Sequence, residues 1–338
     1  KQATLIEKPL TILEVRRILE AIAESTGFGS RERKERLLEA LLGGATPLEA
    51  KYIVKVLIGE MRTGFHEGLM ELAVSKAFNI PLEVVQNAGM LVGDTAEVAA
   101  IAKTQGKEGV LRLQFKLFRP LKPMLAQTAE DVNEALKEHG GETAFEQKLD
   151  GARIQIHKSI GQVRVYSRRL TDVTESLPEI VLLVQGQVKA REAILEGEVI
   201  AVGEDGSPLP FQHLMRRFRR VHEIEEMTRR IPVRLYLFDV LYLDGQSLIA
   251  NPYVERRKKL SEIVGNLPLT RQIVTSSSQE AEKFLKEAMD EGHEGLVAKK
   301  LDSPYTPGIR GKRWFKIKRP LEPLDLVIVG AEYGYGRR

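Results

Sequence analysis

The sequence has no cysteine among its 338 residues. Disulfides, thiolate nucleophiles and Cys-ligated zinc are therefore excluded. Histidine is also sparse: there are six, at 66, 139, 157, 213, 222 and 293, and none has a neighbour at metal-ligand spacing. Any bound metal is expected to be a hard cation held by carboxylates and phosphates. No apolar run approaches the ~20 residues that cross a bilayer, and the start of the chain has no signal-peptide pattern. A cytoplasmic protein without membrane contact is expected. A large charge excess is missing too, since 51 basic against 47 acidic residues leave a net +4. That mild positive balance is compatible with a polyanionic partner, and the local distribution of charge matters more than the sum.

What is present suffices for two or three domains: 43% of residues are hydrophobic and 29% are charged. Residues 1–118 read as helices, with apolar periodicity over 10–22, 33–42, 69–78 and 82–91. Thr46-Pro47-Leu48-Glu49 is a capping box with proline at the first helical position. Asp94 with Glu97 repeats that logic, and Gly106 is expected to close the helix that follows. Between two of these helices lies Arg62-Thr63-Gly64-Phe65-His66-Glu67-Gly68, a glycine-rich bend able to present backbone N–H groups to a phosphate, or simply to join two helices. Proline-rich residues 119–126 mark a boundary, followed by an expected helix over 128–139. From Ala144 the pattern turns to strands, over 162–168, 193–202, 233–243, 295–300 and 313–318. Helices are expected between them at 214–230, 254–264 and 279–291. An α+β domain with antiparallel sheets follows.

The chemistry centres on Glu146-Gln147-Lys148-Leu149-Asp150-Gly151. A strand runs into a tight turn at Asp150-Gly151, and Lys148 stands just before it. Lysine is a nucleophile only after losing a proton, which desolvation or neighbouring cations promote. Read alone, K-x-D-G also fits a solvated strand lysine beside a turn; the signals after it, in order, decide otherwise. Glu196 and Glu198 share one strand face, and Glu196 reads as the more solvated of the two. Phe238 lies in an apolar aromatic strand and suits either a core or a platform for a flat base. Glu294 precedes a strand that carries Lys299, while Lys316 and Lys318 share a face opposite Phe315 and Ile317. Paired strand lysines suit phosphates, and they also suit a solvated edge strand.

Taken together, K-x-D-G at 148–151, Ser167-Arg168, Glu198, Phe238, E-G-x-x-x-K at 294–299 and K-x-K at 316–318 resemble the covalent nucleotidyltransferases: ATP-dependent DNA ligases, RNA ligases and mRNA capping enzymes. Arg62-Thr63-Gly64, and the joint from Arg119-Pro120 to Ala126, are similar to the archaeal and eukaryotic replicative DNA ligases. The resemblance implies an all-α DNA-binding domain over 1–118 and an α+β adenylylation domain over 119–319. Residues 320–338 would begin a C-terminal OB-fold domain. The chain is expected to be a fragment, since it starts without methionine and stops where that domain would begin. The implied substrate is ATP, with AMP carried covalently on Lys148. Glu146 would read the adenine and Phe238 would stack on it. Arg153 and Arg168 would bind ribose and phosphate; Lys299, Lys316 and Lys318 would hold phosphates. Glu198 and Glu294 would organise sugar hydroxyls or Mg²⁺. Nicked duplex DNA, contacted through Arg62, Thr63 and Gly64, is the implied partner. The protein is expected to be a cytoplasmic monomer, associated with the nucleoid if archaeal, with a sliding clamp as a further candidate partner. The alternatives are an RNA ligase or capping-type nucleotidyltransferase, and a non-enzymatic DNA-binding module.

Overall fold

The computed structural model describes residues 10–318, apart from 28, 62, 63, 65, 114, 204 and 219–223, together with 327, 329 and 330. The expected DNA contacts of Arg62 and Thr63 lie outside the described residues. So does nearly all of the segment read as the start of an OB-fold.

Two compact units divide the chain, between Met70 and Glu71. In the first, α1 (Ile12–Glu24), α2 (Ser30–Gly44) and α3 (Pro47–Leu57) enclose Leu41, Ala45 and Ile53. The capping box before α3 forms as expected. The Thr46 hydroxyl accepts from Glu49 N at 3.3 Å, and the Glu49 carboxylate accepts from Thr46 N at 2.8 Å. Gly64 sits in a bend at φ +69°.

Helix α4 (Glu67–Phe78) crosses the division. Its later turns pack with α5 (Leu82–Val92) and α6 (Thr95–Leu111) around Val74, Val85, Val98 and Val110. Asp94 caps α6 through the amides of Ala96 and Glu97. Glu97 does not complete a capping box, because its carboxylate is taken by Lys116 and Arg119. Gly106, expected to end α6, instead kinks it at φ 63°, ψ −160°.

The strand region forms two five-stranded sheets. The first is built from β1 (Leu125–Ala129), β2 (Thr143–Lys148), β8 (Gln272–Thr275), β9 (Gly295–Lys300) and β10 (Arg310–Ile317), in the order β1-β10-β9-β2-β8. The second contains β3 (Ala152–Ser159), β4 (Gln162–Ser167), β5 (Ala193–Ala201), β6 (Val233–Leu243) and β7 (Gln246–Ser247), in the order β4-β3-β5-β6-β7. All pairings are antiparallel except β1 with β10. The helix expected over 128–139 therefore starts later. Residues up to Ala129 join a sheet, and α7 (Val132–His139) is capped by Asp131, whose carboxylate accepts from Glu134 N at 2.8 Å.

Helices cover the outer faces. α7 and α12 (Ser278–Asp290) lie on the first sheet over Phe145, Phe284, Leu296 and Phe315. α8 (Pro178–Gln187), α9 (Phe211–Phe218), α10 (Ile224–Arg230) and α11 (Tyr253–Ile263) lie on the second over Ile154, Leu195, Leu237 and Val240. Of the helix expected over 214–230, residues up to Phe218 lie in α9 and those from Ile224 in α10, and the stretch between them is outside the described residues.

Residues 115–124 run as a strap from α6 across the second sheet. Phe118 N donates to His157 Nδ1 at 2.9 Å and Leu121 N to Gln155 Oε1 at 2.7 Å, while Tyr166 OH donates to Phe118 O at 2.8 Å.

Candidate active site

Strands β2 and β3 do not pair with each other. The turn at 149–151 carries the chain from one sheet to the other, so Lys148 stands at their junction. Two features fix this turn. Asp150 Oδ2 accepts from Phe211 N at 3.3 Å, at the first residue of α9. Gly151 presses against β5, where a Cβ would meet Ile200 Cγ2 at 2.8 Å and Glu198 Cγ at 2.9 Å. The glycine of K-x-D-G thus brings the turn after Lys148 against the strand that carries Glu198.

Register places Glu146, Lys148, Lys299, Trp314 and Lys316 on one face of the first sheet. On the second sheet, Arg153 and Gln155 lie opposite Glu198 and Glu196. The inner faces meet: Lys299 Nζ lies 4.6 Å from the Phe238 ring centre, and the Arg153 guanidinium 5.6 Å from that of Trp314.

Lys148 Nζ contacts Glu294 Oε2, and Lys318 Nζ contacts the same oxygen. Burial raises the Glu294 carboxyl, but its bonds to Lys148 and Lys318 outweigh that and hold it below the usual carboxylate range. Glu198 behaves oppositely. Burial pushes it up to about 8, against the pull of Arg153, Lys148 and Arg168. A cation arriving beside Glu198 would therefore favour its ionised form. Gly295, at φ +141°, lies where a Cβ would collide with the carbonyl oxygen of Ile317, the residue before Lys318. Gly295→Ala is expected to cost more than about 1 kcal/mol of stability and to draw Lys318 away from Glu294. A thermal melt measures the loss; an unchanged melting temperature would contradict the close approach.

Glu196, read from sequence as solvated, is buried. Its Oε2 accepts from Arg153 Nη2 at 2.6 Å. Arg153 Nη1 also donates to Met124 O at 2.7 Å and Nη2 to Tyr305 OH at 3.2 Å.

Lys299, expected to hold phosphates, sits deeper than Lys316 and Lys318. It is 2% exposed, paired with Glu146 Oε2 at 2.7 Å. Lys316 is half-buried on the same face, and among the described residues no carboxylate pairs with it. Arg168, in the turn after β4, is exposed, yet near enough to influence Glu198. The residues brought together are thus Lys148, Glu198, Glu294, Lys318, Arg153 and Arg168 at one end, with Glu146, Lys299 and Phe238 deeper in. The sequence reading missed Tyr253, Thr270 and Tyr305, which brace the deep end. They carry no local signal, since their partners lie more than a hundred residues away.

Three buried donors around Phe238 have no hydrogen-bond partner: Arg153 Nε, Trp314 Nε1 and Lys299 Nζ, the last at ion-pair distance but out of line. Unanswered buried donors are costly, and a polar ligand with acceptor atoms over the Phe238 face would satisfy those of Arg153 and Trp314. Among the described residues no three His, Asp or Glu side chains are grouped to hold a metal. Glu198 and Glu294 fit instead an ion shared with substrate phosphates, the usual habit of Mg²⁺.

Two facing sheets with Lys148 at their junction make this a nucleotidyltransferase-like domain. The profile of the ATP dependent DNA ligase domain matches residues 123–318, and that of the DNA ligase N terminus matches residues 1–75. The chain belongs to the ATP-dependent DNA ligase family. It is 50% identical to a DNA ligase of Thermococcus fumicolans over its whole length, which is 61% of that protein, and 47% identical to a DNA ligase of Methanopyrus kandleri, of which it covers 62%. A solved structure described as Pmar-Lig_Pre shares the fold, with a TM-score of 0.57 at 18% identity over 94% of this chain and 66% of that one. The RNA-ligase and capping-type readings are not favoured. No described helix is long and apolar enough to cross a membrane.

Proposed function

We propose that this chain carries the nucleotide-activating site of an enzyme that seals nicks in duplex DNA with ATP. The observation that carries the reading is the contact of Lys148 and Lys318 with one oxygen of Glu294, beside Glu198 and next to unanswered donors around Phe238. The Lys148 amine, once deprotonated, attacks the α-phosphorus of ATP. A P–N bond forms as the bond to the bridging oxygen breaks, and pyrophosphate leaves with that electron pair. The 5′-phosphate of the nick then takes the AMP, breaking the P–N bond, and the 3′-hydroxyl displaces AMP. Each step is a phosphoryl transfer, so the protein contributes mainly position and charge. Phe238 supports the base and Glu146 accepts from its edge. Arg153 and Arg168 bind ribose and phosphate, and Lys316 and Lys318 balance charge on the phosphates. Mg²⁺, held by Glu198 and Glu294, would add further charge neutralisation. The same reading has the protein working as a monomer with the nucleoid in the cytoplasm, and a sliding clamp as an additional partner.

The test is sealing of a nicked duplex that bears a 5′-phosphate, in the presence of ATP and Mg²⁺. Binding should weaken steeply with salt and vary little with base sequence, because phosphate contacts dominate. Charge reversal at Arg62 should weaken binding while self-labelling continues. Joining of RNA ends without sealing of nicked DNA would overturn the reading.

A further inference from the structure

We propose that Lys299 is a positioning residue that selects an adenine base by holding Glu146 as an acceptor at the closed end of the pocket, and that it does not grip phosphate. The inference rests on the ATP-site reading above.

Lys299 Nζ is enclosed by three rings, 4.5 Å from the centre of Trp314, 4.6 Å from Phe238 and 4.8 Å from Tyr253. Aromatic faces tolerate a desolvated ammonium far better than aliphatic walls do. The pocket is thus built to keep a cation where little water reaches. Burial holds the Lys299 amine below its usual range, against the opposing pull of Glu146 and Asp239. The cation's partner is Glu146, itself 2% exposed. Among the described residues, the other groups at the Glu146 carboxylate are two hydroxyl donors and a second cation. Tyr253 OH bonds Oε1, and Thr270 Oγ1 donates to Oε2 at 3.1 Å. Arg257 Nη1 stands 3.8 Å from Oε1. The Tyr253 hydroxyl accepts from Gln272 Nε2 at 2.8 Å, which turns its own proton toward Glu146.

The result is an acceptor-only group beside the Phe238 platform. An ionised carboxylate accepts from the 6-amino group of adenine and repels the 6-oxo group of guanine. Without the Lys299 ammonium 2.7 Å away, the carboxylate loses the cation that holds it in place facing the base. Lys299 thus decides which base edge is welcome. Phosphates would meet a different set of cations, because Lys148 and Lys318 converge on Glu294 while Lys299 stays sealed behind the rings.

The experiment compares labelling rates of the purified protein with α-phosphate-tagged ATP and GTP. In Lys299→Met, which keeps the volume and removes the charge, the ATP-to-GTP rate ratio should fall by a factor on the order of ten to a hundred. Tyr253→Phe, which removes one donor to Glu146 and preserves the ring, should lower the ratio in the same direction by a smaller factor. If both variants lose ATP and GTP labelling in equal proportion, Lys299 acts on phosphate and the inference falls. No label on the unaltered protein from either nucleotide would instead overturn the ATP-site reading itself.

Discussion

Lys148→Ala is expected to abolish covalent attachment of AMP. Intact-mass spectrometry after exposure to ATP and Mg²⁺ should show the adduct on the unaltered protein, mapped to the peptide containing Lys148, and none on the variant. The argument is chemical: the described site presents this amine at the sheet junction, in contact with Glu294 and close to Glu198. Lys148→Arg should fail as completely, since a guanidinium keeps its proton and cannot attack phosphorus. Both variants should fold, because the side chain is partly exposed and lies outside every apolar core. Label persisting on either would remove Lys148 from the mechanism.

The second large effect concerns a residue that touches no substrate in this account. Arg256 and Asp239 are fully buried and joined by two parallel bonds, Nε to Oδ1 at 2.8 Å and Nη2 to Oδ2 at 2.9 Å. Arg256 Nη1 also donates to the carbonyls of Asn251 at 2.7 Å and Ser303 at 3.0 Å. Its guanidinium lies 5.8 Å from the ring centres of both Tyr253 and Tyr305. One side chain thus ties the strand of Phe238 to α11 and to the loop that carries Tyr305. Arg256→Met leaves the Asp239 charge buried and alone, which costs about 3–5 kcal/mol. For a unit of this size that is a fall of roughly ten degrees in melting temperature. Adding Asp239→Asn removes the orphaned charge and should restore a large part of the loss. A single variant as stable as the parent would contradict the arrangement; so would a double variant no better than the single.

The strands and the place of Lys148 before its turn were readable because their signals are local. The alternation in 295–300 and 233–243 gives β9 and β6 to the residue, and Thr46-Pro47-Leu48-Glu49 carries its own capping chemistry. What remained hidden depends on partners distant in the chain. Strand β1 pairs with β10, so Thr128, opposite Lys316, joins a sheet in spite of an apparent helix start. Glu196 looked solvated because its partner Arg153 lies 43 residues upstream on a different strand. Lys299 looked like its neighbours Lys316 and Lys318 because periodicity gives the face of a strand and not its depth. Only the packing of Trp314, Phe238 and Tyr253 around it separates it from them.

The strap over 115–124 has a buckle, and the buckle is a histidine. His157 Nδ1 must be bare to accept from Phe118 N, so the ring carries its single proton on Nε2, toward Gln155 Oε1 at 2.9 Å. A second proton would turn that acceptor into a donor facing a donor. Burial holds the imidazole down at about 3, well below its ordinary 6.5. The clasp is therefore at full strength above about 6.5, and acid withdraws that contribution progressively down to about 3. Gln155 also accepts from Leu121 N, and its amide faces Glu196, which anchors Arg153. Unfastening the buckle in acid would thus slacken the connector to the helices and the nucleotide pocket together.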